Sequence, residues 1–165
     1  MTGTTHHSQA HPLRLQPVAY DHPDAQRLTQ ALHREQVGLY GFADDPTATP
    51  ISSFRVPNGL FLVARRGSTA VGCGGIRQLA SRTAEIKRMY VVPEARGTGA
   101  GQAILRALED AAQRRGIRRI ILETGSLNRS ALALYDKAGY AQVESYVTGR
   151  DPQINRALSK TLQGR

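Results

Sequence analysis

Residues 85–101 read Glu85-Ile86-Lys87-Arg88-Met89-Tyr90-Val91-Val92-Pro93-Glu94-Ala95-Arg96-Gly97-Thr98-Gly99-Ala100-Gly101: a strand-forming run, a proline stop and a glycine-rich loop. An amphipathic helix follows, with Ile104, Leu105, Leu108, Ala111 and Ala112 at helical spacing and Gly116 to close it. Glycines let a backbone approach a ligand closely, and the first N–H groups of a helix have no intrahelical partners. Strand, glycine loop and helix in that order predict an anion site, shaped for a pyrophosphate, at the loop and the first turn of the helix. Strict alternation along the strand would put Glu85, Lys87, Met89 and Val91 on one face and Ile86, Arg88, Tyr90 and Val92 on the other.

Working outward, Leu13 to Tyr20 alternates as a first strand, and Asp21-His22-Pro23-Asp24 signals a helix start. Ala25, Leu28, Leu32 and Leu39 then share one face of a helix that Gly41 ends near Tyr40. Residues 42–58 carry three prolines and little periodicity, so a long loop or a broken second helix is expected there. Residues 59–64 and 69–77 form a hairpin around Arg65-Arg66-Gly67-Ser68. Residues 117–124 are a β-branched strand, joined by the long helix to the strand before it, which predicts a parallel pair. A short helix over 128–138 and an antiparallel pair over 140–147 and 154–162 complete the chain.

The 165 residues are 40% apolar, enough for one domain with a sizeable core, expected over residues 12–165 behind a disordered tail at 1–11. The lone Cys73 sits in an apolar stretch, which excludes an internal disulfide and suits a reducing, cytoplasmic setting. No apolar run reaches the roughly 18 residues of a membrane span. His6 and His7 have no other ligand type beside them, so no metal is assigned. A net charge of +9 favours acidic partners, and basic residues are in surplus from Arg82 to Arg119, around the glycine loop. A basic nucleic-acid-binding module ranks below a cofactor site, because Phe and Tyr are few, Trp is absent and no stacking platform or zinc pattern is present.

A glycine loop between strand and helix also occurs in dinucleotide folds, where an acid some 20 residues on, here Glu123, would hold the ribose. Gln102 stands where a third glycine belongs, however, and Pro93 and Arg96 intrude before the loop. The antiparallel opening does not suit a doubly wound sheet. No Gly-Lys-Ser/Thr follows, so an NTPase phosphate loop fails as well.

The stretch EIKRMYVVPEARGTGAG resembles the acetyl-CoA-binding motif of the GNAT N-acetyltransferases, Gln/Arg-x-x-Gly-x-Gly/Ala, with Arg96, Gly99 and Gly101 in its places. The likeness continues through Asn128 and the Ala133-Leu134-Tyr135 to Gly139-Tyr140 segment. It implies an α/β fold of the α+β kind: a mixed, mostly antiparallel central sheet of six to seven strands with about four helices, splayed between the fourth and fifth strands.

The resemblance further implies acetyl-CoA as cosubstrate and acetyl transfer to a primary amine by direct attack in a ternary complex. The pantetheine arm would run along Tyr90, Val91 and Val92. The pyrophosphate would lie on Arg96 and the amides of Gly97, Thr98, Gly99, Ala100, Gly101 and Gln102. Asn128 would reach the pantetheine or cap its own helix, and Arg129 and Lys137 would meet phosphates or water.

Tyr135 is the expected acid or hydrogen-bond donor to the leaving thiolate. Glu123, twelve residues before it, matches the base of the family's ribosomal-protein acetyltransferases, and Glu85 matches the base of its histone acetyltransferases. Acceptor recognition is expected from Tyr40, Asp44, Asp45, Phe54, Arg77 and Tyr146. The acceptor itself is open, as is a homodimer, and a domain that binds acetyl-CoA without turning it over is the alternative to an enzyme.

Overall fold

The computed structural model describes residues 11–164, so the tail expected over 1–11 lies, apart from His11, outside the described residues. Seven strands form one sheet in the order β1-β2-β3-β4-β5-β7-β6. They are β1 (Leu13–Pro17), β2 (Gly59–Arg66), β3 (Thr69–Ala80), β4 (Thr83–Val91), β5 (Arg119–Gly125), β6 (Ala141–Val143) and β7 (Asn155–Thr161). The helices are α1 (Pro23–Tyr40), α2 (Ala100–Arg114) and α3 (Arg129–Lys137). Of the four helices expected, the broken one over 42–58 is instead a pair of 3-10 turns, Pro46–Ala48 and Ile51–Phe54, because prolines at 46, 50 and 57 remove the donors a longer helix needs. A third 3-10 turn, Pro93–Ala95, leads into the glycine loop.

Neighbouring strands are antiparallel except β4 and β5, which are parallel as their helical connection requires. That parallel ladder runs only from Thr83↔Arg119 to Ile86↔Leu122. Beyond it β5 stays with β7 through Gly125↔Asn155, while β4 follows β3 to Gly72↔Val91. The sheet therefore opens where the resemblance implied.

A β-bulge lies beside the opening. Cys73 pairs with Tyr90 but Gly75 pairs with Lys87, so β4 carries one residue more than β3 across this interval. Arg88 lies inside it at φ 61°, the left-handed region. The extra residue reverses the alternation: Ile86 belongs to one core, Tyr90 to the opposite one. The expectation that Ile86 and Tyr90 share a face is thus overturned, since regular alternation holds only while pairing is one to one.

The two cores flank the sheet. On one side Ile104, Leu105 and Leu108 of α2 and Tyr135 of α3 pack on Leu62, Ile76, Ile86, Ile120 and Leu122. Ile104 and Leu108 lie so close over β3 that a Cβ on Gly74 would meet Ile104 Cγ2 at 2.8 Å and Met89 Sδ at 2.5 Å, which explains a glycine in mid-strand. On the other side Ala25, Leu28 and Leu32 of α1 cover Tyr20, Phe54, Phe61 and Tyr90. Cys73 is fully buried in this second core, and burial pushes its thiol pKa well up, as expected of an inert cysteine. No described helix is long and apolar enough to cross a membrane.

Candidate active site

Two cavities open along the splay. The first, of about 270 Å³, lies between the glycine loop, the end of β4 and α3. Gly99 forms the N-cap of α2 at φ 87°, and no side chain caps the helix. The Ala103 N–H is the first to find an intrahelical carbonyl, that of Gly99. The amides of Ala100, Gly101 and Gln102 thus precede the ladder with nothing from a capping side chain, at the positive end of a fifteen-residue helix. Gly97 (φ 76°) and Gly99 would have open space around a Cβ, so backbone conformation, not crowding, demands glycine there.

Of the residues expected to hold the cofactor, Tyr90, Val91, Arg96, Gly97, Gly99, Ala100, Gly101, Gln102, Asn128 and Tyr135 line this first cavity, joined by Lys137. Val92 and Thr98 do not: the Val92 N–H is spent on the Val71 carbonyl at 2.9 Å, and the Thr98 hydroxyl donates to the Ala95 carbonyl at 2.5 Å. Arg96 is a clamp. Its Nη2 pairs with both Glu35 oxygens at 2.9 and 3.0 Å and its Nε donates to the Val91 carbonyl at 2.9 Å. The guanidinium also lies 5.7 Å from the centre of the Tyr90 ring. Asn128 accepts the Ala131 N–H at 3.3 Å as the cap of α3.

The second cavity, of about 310 Å³, continues from the first, and Tyr135, Met89, Asn128, Ala131 and Leu32 line both. Tyr135 is 4% exposed, and burial alone pushes its hydroxyl pKa up. Both candidate carboxylates line this cavity, but they are held differently. Glu85, 3% exposed, accepts from Arg77 at 2.9 Å through Oε1 and from the Tyr146 hydroxyl at 2.6 Å through Oε2. Burial, with that hydrogen bond, pushes the Tyr146 pKa up. Glu123 accepts from Arg150 at 3.2 Å through Oε2, and its buried Oε1 has no partner.

Among the expected acceptor residues, Tyr40 and Asp44 line the second cavity. Tyr40 also takes the Leu127 N–H at 3.1 Å, tying the end of α1 to the turn after β5. Arg150 bonds both Asp44 oxygens, at 3.0 and 2.7 Å, and this holds the Asp44 carboxyl below its usual range. Arg77 and Tyr146 act on Glu85. Asp45 caps a 3-10 turn through Thr47, and Phe54 is core, 3% exposed. Lys87, Arg88 and Arg150 also line the second cavity, and nothing in their sequence neighbourhood marks them as site residues. Among the described residues no cluster of three or more metal-ligating side chains occurs.

The Acetyltransferase (GNAT) family model matches residues 23–140. An IAA acetyltransferase of Azospirillum brasilense is 38% identical over 116 residues, covering 70% of this chain and 75% of that protein. The uncharacterized N-acetyltransferase YsnE of Bacillus subtilis is 32% identical over 123 residues, 73% of this chain and 82% of that one. A crystal structure of an acyl-CoA N-acyltransferase from Klebsiella pneumoniae superposes with a TM-score of 0.78 at 28% identity, covering 92% of this chain and 98% of that one. A PaiA N-acetyltransferase from Thermoplasma acidophilum, solved in complex with coenzyme A, shares the fold at a TM-score of 0.68 and 17% identity over 92% of this chain and 99% of that one. The chain therefore belongs to the GNAT acetyltransferase family, whose members transfer an acyl group from an acyl-CoA.

Proposed function

We propose that the protein is an N-acetyltransferase that carries acetyl from acetyl-CoA to a primary amine by direct attack within a ternary complex. The observation that carries this reading is the continuity of the two cavities past Tyr135, with uncapped helix amides at one end and an unpartnered carboxylate oxygen in the other. The amides of Gly97 to Gln102 take the pyrophosphate, and the open edge of β4 at Tyr90 and Val91 takes the pantetheine as an added strand. Acetyl-CoA supplies the activated acyl group as a thioester.

The residues of the second cavity prepare the amine. A primary amine of pKa about 10.4 is mostly protonated at pH 7, a penalty of about 4 to 5 kcal/mol before attack. Glu123 Oε1 is free to take that proton, whereas both oxygens of Glu85 are occupied, so Glu123 is the base and Glu85 a scaffold for Tyr146. Tyr135 donates a hydrogen bond to the departing sulfur. Even with an ordinary phenol, full proton transfer to a thiolate would be uphill by about 2 kcal/mol, and the raised pKa of Tyr135 increases that gap. The phenol therefore stabilises the charge without giving up its proton.

The test is release of free thiol from acetyl-CoA across a panel of amines. Glu123→Gln should lower kcat/KM by about a hundredfold at pH 7, with the deficit narrowing as rising pH deprotonates the amine and with acetyl-CoA affinity unchanged. A Glu123→Gln enzyme with wild-type rates and pH profile refutes the base assignment.

A further inference from the structure

The charged groups on the wall of the second cavity, four acidic and three basic, are unevenly paired. Glu85 is matched by Arg77 at 2.8 Å, and Asp44 and Glu123 share Arg150 at 2.7 and 3.2 Å. Asp151 turns its Oδ1 to the Gln153 N–H at 2.9 Å. Lys87 and Arg88 are the remaining ions of the wall, and among the described residues neither is in a salt bridge. Arg88 has one partner, the neutral hydroxyl of Thr49 at 3.1 Å, while its Nε is buried without any. Burial lowers the Lys87 pKa, so its charge is held at a cost.

Every buried unpartnered side-chain polar atom among the described residues belongs to this wall: Arg88 Nε, Arg150 Nε and Glu123 Oε1. Two are cationic donors and one is an anionic acceptor. Buried groups of this kind cost free energy until something pairs with them.

We infer that the acceptor is an amino acid, carrying a carboxylate that pairs with Lys87 and Arg88 as well as the amine that Glu123 deprotonates. This rests on the acetyltransferase reading above. The cofactor does not meet this demand, because its phosphates belong at the start of α2 in the first cavity and its thioester end is neutral. A simple monoamine or diamine would leave both cations without an ionic partner, whereas an amino-carboxylate satisfies both signs at once.

The experiment is thiol release from acetyl-CoA with α-amino acids, each matched with its methyl ester and its decarboxylated amine. The free acids should exceed both analogues by about tenfold or more in kcat/KM, because the analogues leave buried cations unpaired. Lys87→Gln and Arg88→Gln should each raise KM for the acid and narrow its advantage over the decarboxylated amine to less than about threefold. Should Arg88→Gln not fold, Lys87→Gln carries the test alone.

The inference is overturned if the esters or amines are used as well as the acids, if no carboxylate-bearing amine is acetylated by protein that binds acetyl-CoA, or if discrimination survives in the variants. Calorimetry on the wild type separates these outcomes from failure of the parent reading. Protein that does not bind acetyl-CoA defeats both.

Discussion

Tyr135 stands where the two cavities meet, and its raised pKa keeps it protonated across any working pH, so it is a donor throughout. Tyr135→Phe should lower kcat by about ten- to a hundredfold with acetyl-CoA affinity within about twofold, read by steady-state kinetics and calorimetry. Unchanged kcat would make it a core tyrosine only. The two motif glycines should part company in thermal melts. Gly99→Ala forces an L residue to φ 87° and should cost about 1 to 2 kcal/mol, although its Cβ meets nothing within 4 Å. Gly101→Ala sits in the helix with its Cβ at 3.4 Å from Leu134, an ordinary contact, and should leave stability within about 1 kcal/mol of wild type.

These positions were legible in the sequence because spacing and the family motif mark them. The pairing of side chains was not. Arg96 reads as a phosphate ligand, but it clamps Glu35, which lies 61 positions away in the chain.

At the level of elements, strands and helices followed from periodicity and stop signals, with β4 to β5 parallel as the intervening helix demanded. The bulge in β4 is not legible in the sequence because its left-handed residue is Arg88, whereas sequence patterns flag such positions by glycine or asparagine. Deleting Arg88 should restore one-to-one pairing, with Tyr90 still opposite Cys73 and still in its core, and should close the splay. Acetyl-CoA binding should be abolished while chemical denaturation still shows one cooperative transition. A deletion variant that binds acetyl-CoA as wild type does would show that the bulge does not hold the splay open. Beneath the glycine loop, Leu108→Ala in α2 removes a side chain that is 0% exposed and should cost about 2 to 5 kcal/mol in the same assay.

The whole molecule is a sheet between α1 on one side and α2 with α3 on the other, and its tie at the start of α1 is ionic. Asp24 meets Arg65 of β2 at 2.6 Å and Arg27 at 2.7 Å. The hydrogen bond from Arg65 does most to hold its carboxyl below 3.8, with Arg27 adding to it. A carboxylate depressed on folding contributes stability that is complete above its unfolded value and is lost as pH falls through the folded one. Asp24→Asn should therefore melt below wild type at pH 7, by about 1 kcal/mol, and the difference should shrink as pH falls through the lowered folded value. A gap that persists in acid would mean that packing, not charge, is lost.

The claim on which all the rest depends is that the first amides of α2 receive the pyrophosphate of coenzyme A, and an amide-resolved NMR titration with acetyl-CoA tests it most directly. Saturable shifts should be largest at the N–H groups of Gly97 to Gln102 and weaken along the helix toward Arg114. Saturable binding that leaves those amides unmoved while shifting others, or no binding at millimolar acetyl-CoA by folded protein, would contradict it.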